Sequence, residues 1–332
     1  MSTTLNSGID PASFSAVTGP AQDLFRYVNG PWIDMYRLPD DRSRYGSFDK
    51  LAEDAENQIR EILEDDDCPA KKSHALYASF LDVDAINASG LAAIEDQLKA
   101  IDVAADKAEL TRSLGAMNPA GGPDLIGIAV YGDPGAPETN IIHVEQAGLG
   151  LPDEAYYRED HYAPIREAYV DMVAKQLKNA KLAADSEQAE ADAKRFLDVE
   201  TRIAANHWDN VATRDSVKTY NPTDYAELSG MLADYDLDTW IESWQSAYDQ
   251  TSAAQVQPLD FRGIFNHVVV HEPSFLTGLN AFWKAADLDD LKLWARVHVI
   301  IGSTLELPHE FDETNFEFYG KTLSGQKQQR VR

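Results

Sequence analysis

Histidines close to acidic residues are the side chains of this sequence that could hold a metal ion and activate water. Three such pairs occur: His143 with Glu145, His271 with Glu272, and His309 with Glu310. A zinc-peptidase helix needs two histidines four residues apart with a glutamate between them, because both imidazoles must reach one ion and the carboxylate must reach its water. None of the pairs has a second histidine four residues further on. We therefore interpret them as structural histidines on strand faces or at helix ends.

A different histidine pair, His267 and His271, does have the four-residue spacing. The intervening residues 268–270 are all valine, which predicts a strand rather than a helix. On a strand this spacing holds the two rings too far apart to share one ion. The pair is therefore predicted to be structural, although a self-sufficient hydrolase built on a His–Glu pair stays open as an alternative.

Other catalytic signatures are incomplete or missing. The stretch Asp82–Asn87 lacks the glycine that a calcium loop needs at its turn. No phosphate-binding glycine loop and no Gly-x-Ser-x-Gly serine elbow occurs in the sequence. Cys68 is the single cysteine and follows an acidic run, which raises the pKa of a thiol rather than activating it. If the chain belongs to an enzyme, these observations predict that it is only part of one.

A short segment rich in arginine and aromatic residues, Asp41–Phe48, stands out in so acidic a chain. The guanidinium group is planar and can bind a carboxylate through two parallel hydrogen bonds. Two interpretations remain open from the residues alone. Arg42 and Arg44 contact an anionic ligand, or they form ion pairs with some of the many surface acids.

The composition limits the possible partners. The chain has 332 residues, 44% of them hydrophobic, and 29 basic against 56 acidic side chains give a net charge of −27. This charge repels nucleic-acid phosphates and anionic membranes, so neither is an expected partner. The N-terminal residues have no basic stretch followed by an apolar one, and no apolar run is long enough to span a bilayer. We expect a cytoplasmic protein.

Helical periodicity dominates and predicts a mainly α fold with a small antiparallel β-hairpin around residues 124–145. Residues 1–20 are expected to form a flexible arm, residues 31–45 an extended segment, and residues 268–270 a further strand. The predicted helices cover residues 21–28, 48–63, 70–82, 84–101, 106–117, 161–183, 185–206, 223–232, 237–249, 273–286, 288–303 and 309–319.

Several segments, taken in their order along the chain, closely resemble the neprilysin family of zinc endopeptidases, and in particular its bacterial PepO-type oligopeptidases. The resemblance covers about residues 20–325. The segments are Asp23–Trp32, Arg44–Phe48, Gly148–Asp153 with Tyr156 and Tyr157, Glu200–Ala205, Arg214 with Asp215, Tyr220–Pro222, and Phe318–Gly325.

The resemblance implies that this chain is the N-terminal half of a two-lobed, chambered peptidase. In the family the zinc ligands lie in the C-terminal half, so no catalytic or metal-binding residue is expected here and the chain alone is predicted to be inactive. Residues 50–265 are expected to form a helical gating lobe that restricts entry to short peptides. Residues 21–49 and 266–332 are expected to pack against the catalytic half. The alternative is an acidic helical binding module without catalysis.

One site residue follows from the resemblance. Arg44 matches a family arginine that binds the free carboxylate of a peptide substrate. Neprilysin has a second substrate-binding arginine eight residues further on, where this sequence has Ala52. The resemblance therefore implies a weaker dependence on a free C-terminus and a broader endopeptidase activity.

Overall fold

The computed structural model describes residues 9–65 and 67–330, most of which are helical, as the sequence predicts. The described residues form two units. The first unit comprises residues 9–65 and 324–330, and the second comprises residues 67–323. The predicted boundaries at residues 50 and 266 concern packing against the catalytic half that the resemblance implies, and they remain a prediction.

The first unit contains two helices, α1 (Leu24–Met35) and α2 (Ser47–Glu64), and a 3-10 turn at Pro11–Ser13. The predicted end of the first helix near Pro31 is wrong, because α1 continues through this proline. Proline lacks the N–H that would bond to the carbonyl oxygen of Tyr27, and the backbone N–H of Ser15 donates to that oxygen instead, at 2.7 Å.

Two further predictions concern the segments before and after α1. The extended segment begins after Met35 rather than at residue 31. Of the predicted flexible arm, residues 1–8 lie outside the described residues. Further along that arm, Asp10 caps the 3-10 turn and the Phe14 ring lies 5.1 Å from that of Tyr27.

Helix α2 confirms the prediction for residues 48–63 and carries its apolar residues on one face. That face is open to solvent in this chain: Phe48 is 87% exposed, Leu51 62% and Ile59 55%. Burying such a stripe is what normally stabilises an amphipathic helix. The face is therefore available for a covering surface.

The second unit contains fourteen helices within the described residues. They are α3 (Lys71–Leu81), α4 (Val83–Ser89), α5 (Glu95–Val103), α6 (Lys107–Met117), α7 (Ala155–Arg158), α8 (Ala163–Asn179), α9 (Ser186–Ala204), α10 (Tyr225–Met231), α11 (Leu237–Asp249), α12 (Ser252–Val256), α13 (Phe261–Ile264), α14 (Pro273–Ala285), α15 (Leu288–Gly302) and α16 (His309–Asn315). A π-helical stretch, Phe316–Leu323, continues α16. The single helix predicted for residues 84–101 is wrong, because Gly90, with φ of +59°, ends α4 in the left-handed region and a turn separates α4 from α5.

The second unit also contains a four-stranded sheet in the order β1-β2-β4-β3. Its strands are β1 (Ile126–Asp133), β2 (Ala136–Gln146), β3 (Asn221–Asp224) and β4 (His267–Val270). The predicted hairpin is confirmed as β1–β2, and the predicted strand at residues 268–270 as β4. The strand β4 pairs in parallel with β2 and antiparallel with β3, and local sequence patterns do not predict either pairing.

The core of the second unit lies between the helices and one face of the sheet. Val144, Val268 and Val270 point into it from the strands and are almost fully buried. Trp240, Trp283 and Trp294 are among the largest buried side chains from the helices. None of the helices formed by the described residues is both long enough and apolar enough to cross a membrane.

Candidate functional site

Two of the three histidine–acid pairs, those of His143 and His271, lie side by side. His143 lies on β2, and His271 directly follows β4, the parallel neighbour of β2. Their imidazoles therefore meet, with His143 Nδ1 2.8 Å from His271 Nε2. Glu145 Oε1 lies 3.7 Å from the same His271 nitrogen. This contact joins positions 128 residues apart, and no local pattern in the sequence connects them.

This histidine cluster is held by strand pairing and partial burial. The backbone N–H of His271 donates to the carbonyl oxygen of Val144 at 2.9 Å, and the Tyr131 ring packs edge-on against His143. Burial lowers the pKa of His271; Glu145 opposes this shift and His143 adds to it. Burial also raises the pKa of the neighbouring Glu272 carboxyl to about 7.

The zinc ion implied by the resemblance has no fitting site among these residues. Throughout residues 9–65 and 67–330, no group of three or more histidine, cysteine, aspartate or glutamate side chains could hold a metal ion. His309 lies at the start of α16, where its backbone N–H donates to Asn87 Oδ1, and His267 opens β4 with an exposed side chain. We therefore place no metal-dependent step on this chain.

The arginine segment Asp41–Phe48 lies in the first unit and is fixed on both sides of Arg44. On one side, a terminal nitrogen of Arg42 lies 3.9 Å from Glu53 Oε1. On the other, the Tyr45 hydroxyl donates to Glu53 Oε2 at 2.9 Å, and this bond is the main reason why the pKa of Tyr45 rises to about 12. One carboxylate of α2 thus holds both neighbouring side chains.

Stacked aromatic rings tie the same segment to α1. The Tyr36 ring stacks on Trp32 and on Tyr45, each at a centroid distance of 4.7 Å. Because ring stacking adds to the burial of apolar area, it stabilises the position of Tyr45 beside Arg44.

Residues near the C-terminus hold the loop that precedes the Asp41–Phe48 segment. The backbone N–H groups of Lys327 and Gln328 donate to the carbonyl oxygen of Asp40 at 2.9 and 3.0 Å. The Lys327 ammonium also pairs with the Asp40 carboxylate, and Arg330 pairs with Glu56 on α2.

Arg44 itself is exposed and has no hydrogen-bond or ion-pair partner anywhere in the described part of the chain. Of the two interpretations left open by the sequence, the ion pair therefore applies to Arg42 and not to Arg44. A free guanidinium on a held segment is suited to binding an external carboxylate, because only the arginine side chain, and not its backbone, has to lose conformational entropy when the ligand binds.

A second cluster in the other unit gathers several of the segments that carry the family resemblance. The buried Glu200 carboxylate accepts hydrogen bonds from the Gly150 backbone N–H and the Tyr157 hydroxyl, each at 2.8 Å. His298 Nε2 lies 2.8 Å from the same carboxylate. The Tyr319 hydroxyl donates to the Gly150 carbonyl oxygen at 3.1 Å. These residues fix the loop Gly148–Asp153, and we interpret them as structural. No signal in the sequence connected His298 with this cluster.

The chain is similar to known proteins over nearly its whole length. A family model described as peptidase family M13 matches residues 20–332. Neprilysin of Homo sapiens is 25% identical over 321 residues, which cover 88% of this chain and 42% of neprilysin. The inhibitor complex of the zinc metalloprotease Zmp1 of Mycobacterium tuberculosis is 32% identical, with a TM-score of 0.83.

The Zmp1 match covers 98% of this chain and 48% of Zmp1. PepO of Lactobacillus rhamnosis is 18% identical with a TM-score of 0.72, a likeness that concerns the fold. The chain thus spans less than half the length of these relatives.

Proposed function

Because the chain belongs to peptidase family M13, we propose that it forms the N-terminal, substrate-restricting portion of a zinc metalloendopeptidase that hydrolyses short peptides. The observation that carries this proposal is the exposed, unpaired Arg44 on a segment that other residues hold in place. The zinc-binding catalytic half belongs to the proposed enzyme and not to this chain. A cytoplasmic bacterial enzyme fits the single cysteine and the bacterial sources of Zmp1 and PepO.

The chain alone is proposed to be inactive. Its described residues offer no set of three metal ligands, and the zinc metalloprotease that it matches is about twice as long. The purified chain, incubated with one equivalent of zinc, should retain no stoichiometric metal after dialysis and should cleave no fluorogenic peptide. Bound zinc together with peptide cleavage would favour the alternative of a self-sufficient hydrolase.

The apolar face of α2 is proposed to pack against the catalytic half. Phe48, Leu51 and Ile59 leave a hydrophobic stripe in solvent, and Leu24 and Phe25 of α1 are exposed as well. An amphipathic helix with an exposed apolar face supports a role in a protein–protein contact.

This packing can be tested by reconstituting the complex from its two separate halves. The chain and a separately produced zinc-bearing half should form a complex in analytical ultracentrifugation, and Leu51→Glu should weaken its affinity at least tenfold, or ~1.4 kcal/mol. A matched variant on the same helix, Glu61→Gln, should leave it unchanged. A non-catalytic binding module would form no such complex.

Arg44 is proposed to bind the free C-terminal carboxylate of the substrate. In the peptidase that carries this chain, Arg44→Ala should raise KM for a short peptide with a free C-terminus, because a charge-assisted contact contributes ~1.5–3 kcal/mol. The same peptide with an amidated C-terminus should be affected little. Steady-state kinetics with the peptide pair measure the difference.

A control variant separates this role from a general charge effect. Arg60 is also exposed and lies on α2, about 20 Å along the helix from its first residue. Arg60→Ala should change neither KM. An equal rise in KM for both peptides in Arg44→Ala would show that Arg44 is structural.

A further inference from the structure

The parallel junction between β2 and β4 is short and ends in a contact between two imidazoles. Residues 142–144 of β2 lie opposite residues 268–270 of β4, and this is the whole parallel pairing. Directly after it, the backbone N–H of His271 donates to the Val144 carbonyl oxygen at 2.9 Å. The rings of His143 and His271 meet at the same end, with Nδ1 of the first 2.8 Å from Nε2 of the second. The histidine pair is therefore part of what joins the two strands.

Acidic and uncharged groups surround the histidine pair. The titratable ones are Tyr131 of β1, Glu145 of β2 and Glu272 directly after β4. From β3 comes the uncharged amide of Asn221, which donates to the Val270 carbonyl oxygen at 2.9 Å. None of the four strands contains a lysine or an arginine. A positive charge on the pair is met most directly by Glu145, whose carboxylate lies 3.7 Å from His271 Nε2.

The histidine pair can carry one positive charge but not two. A hydrogen bond between two imidazoles needs one N–H and one bare nitrogen, so one of the two facing nitrogens must lack a proton. If both imidazoles are charged, both facing nitrogens carry protons, the bond is lost, and two positive charges meet. Water can do little to relieve this repulsion, because His143 is only 5% exposed. Its Nε2 is buried and has no hydrogen-bond partner among residues 9–65 and 67–330.

We propose that the His143–His271 pair is a pH-sensitive switch, which joins β2 to β4 while at most one of its imidazoles is charged and opens this junction when both are. Burial lowers the pKa of His271, so the folded state binds this proton more weakly than the unfolded state. The stabilisation is therefore complete above the unfolded histidine pKa of about 6.5 and is lost as the pH falls below it. The switch belongs to the fold of the second unit and does not depend on the proposed peptidase function.

Urea unfolding at pH ~7 and ~5.5 tests the switch in the unsubstituted chain and in His271→Gln. A glutamine amide can donate to His143 Nδ1 but takes up no proton. Acidification should raise the unfolding equilibrium constant about fivefold more in the unsubstituted chain than in His271→Gln. His309→Gln replaces an exposed histidine of the same unit and should respond to acid as the unsubstituted chain does.

Hydrogen exchange shows whether the junction itself opens. The amide at position 271 donates to Val144 across the junction, so its exchange rate, measured by NMR and corrected for the intrinsic effect of pH, reports the opening. Its protection should fall at least about threefold on acidification in the unsubstituted chain and should stay constant in His271→Gln.

Two results would overturn the switch. The first is equal protection of the His271 amide at both pH values in the unsubstituted chain, which decides the question even if His271→Gln does not fold. The second is an equal response of the unsubstituted chain and His271→Gln to acid. The pH dependence would then belong to other groups such as His207, whose pKa burial lowers to about 4. Far-UV circular dichroism at both pH values reports whether each variant has folded.

Discussion

Helices α2 and α9 are similar in sequence pattern but differ in their surroundings. Both are long and amphipathic, Ser47–Glu64 in the first unit and Ser186–Ala204 in the second. The apolar face of α9 is completely buried, with Phe196 at 0% exposure, whereas Phe48 on α2 is 87% exposed. The comparison teaches that periodicity determines where an apolar face lies on a helix, whereas the burial of that face depends on what packs against it.

The largest expected effect tests this contrast directly. Phe196→Ala should lower the free energy of unfolding of the chain by ~3–5 kcal/mol, because it leaves a cavity in a packed core. Phe48→Ala should change it by less than ~0.5 kcal/mol, since the ring is already in solvent. Urea unfolding followed by tryptophan fluorescence measures both, because Trp32 lies in the first unit and the other five tryptophans lie in the second. Equal losses would mean that α2 is covered within this chain.

The two units should also differ in how much their hydrogen-bonded carboxylates contribute to the free energy of unfolding. Glu200→Leu should cost ~3 kcal/mol of stability, because the Gly150 N–H and the Tyr157 hydroxyl remain buried without their acceptor. Glu200→Gln keeps an acceptor and should cost clearly less. Arg330→Ala breaks the exposed pair with Glu56 in the first unit and should cost at most ~0.5 kcal/mol. The same urea experiment compares the three variants; a larger loss for Arg330→Ala than for Glu200→Leu would reverse the contrast.

The smallest expected effect is a dependence of the free energy of unfolding on pH, and it is confined to the second unit. Burial raises the pKa of Glu272 from 4.5 to about 7, so the folded state binds this proton more tightly than the unfolded state. The resulting stabilisation is complete below pH 4.5 and is lost as the pH rises through 7. Between pH 6.5 and 8 the loss should be on the order of 1 kcal/mol, since partial solvation limits it.

Glu272→Gln should remove this part of the slope. Some slope remains, because burial also raises the pKa of Asp124, to about 8. Urea unfolding of the unsubstituted chain and of Glu272→Gln at the two pH values gives the difference. Identical slopes in both proteins would contradict the shifted pKa of Glu272. In the first unit, Glu56 has its pKa lowered by Arg330 and should add no loss in this range.

The sequence by itself determined the mainly α fold, the β1–β2 hairpin, the strand at residues 268–270 and the resemblance to the N-terminal half of the neprilysin family, and all of these are confirmed. These features depend on periodicity and on residues close in sequence, which can be read along the chain. The family resemblance implied Arg44 as the substrate-binding candidate, and its binding role remains a proposal.

Only the tertiary structure decided which of these residues have partners. The continuation of α1 through Pro31 depends on the N–H of Ser15, and the His143–His271 contact depends on the parallel pairing of β2 and β4. The pairing of Arg42 with Glu53, which leaves Arg44 unpaired, is likewise set by packing. The physical reason is that such contacts join elements that local periodicity does not connect, so burial and charge compensation arise only when the chain has folded.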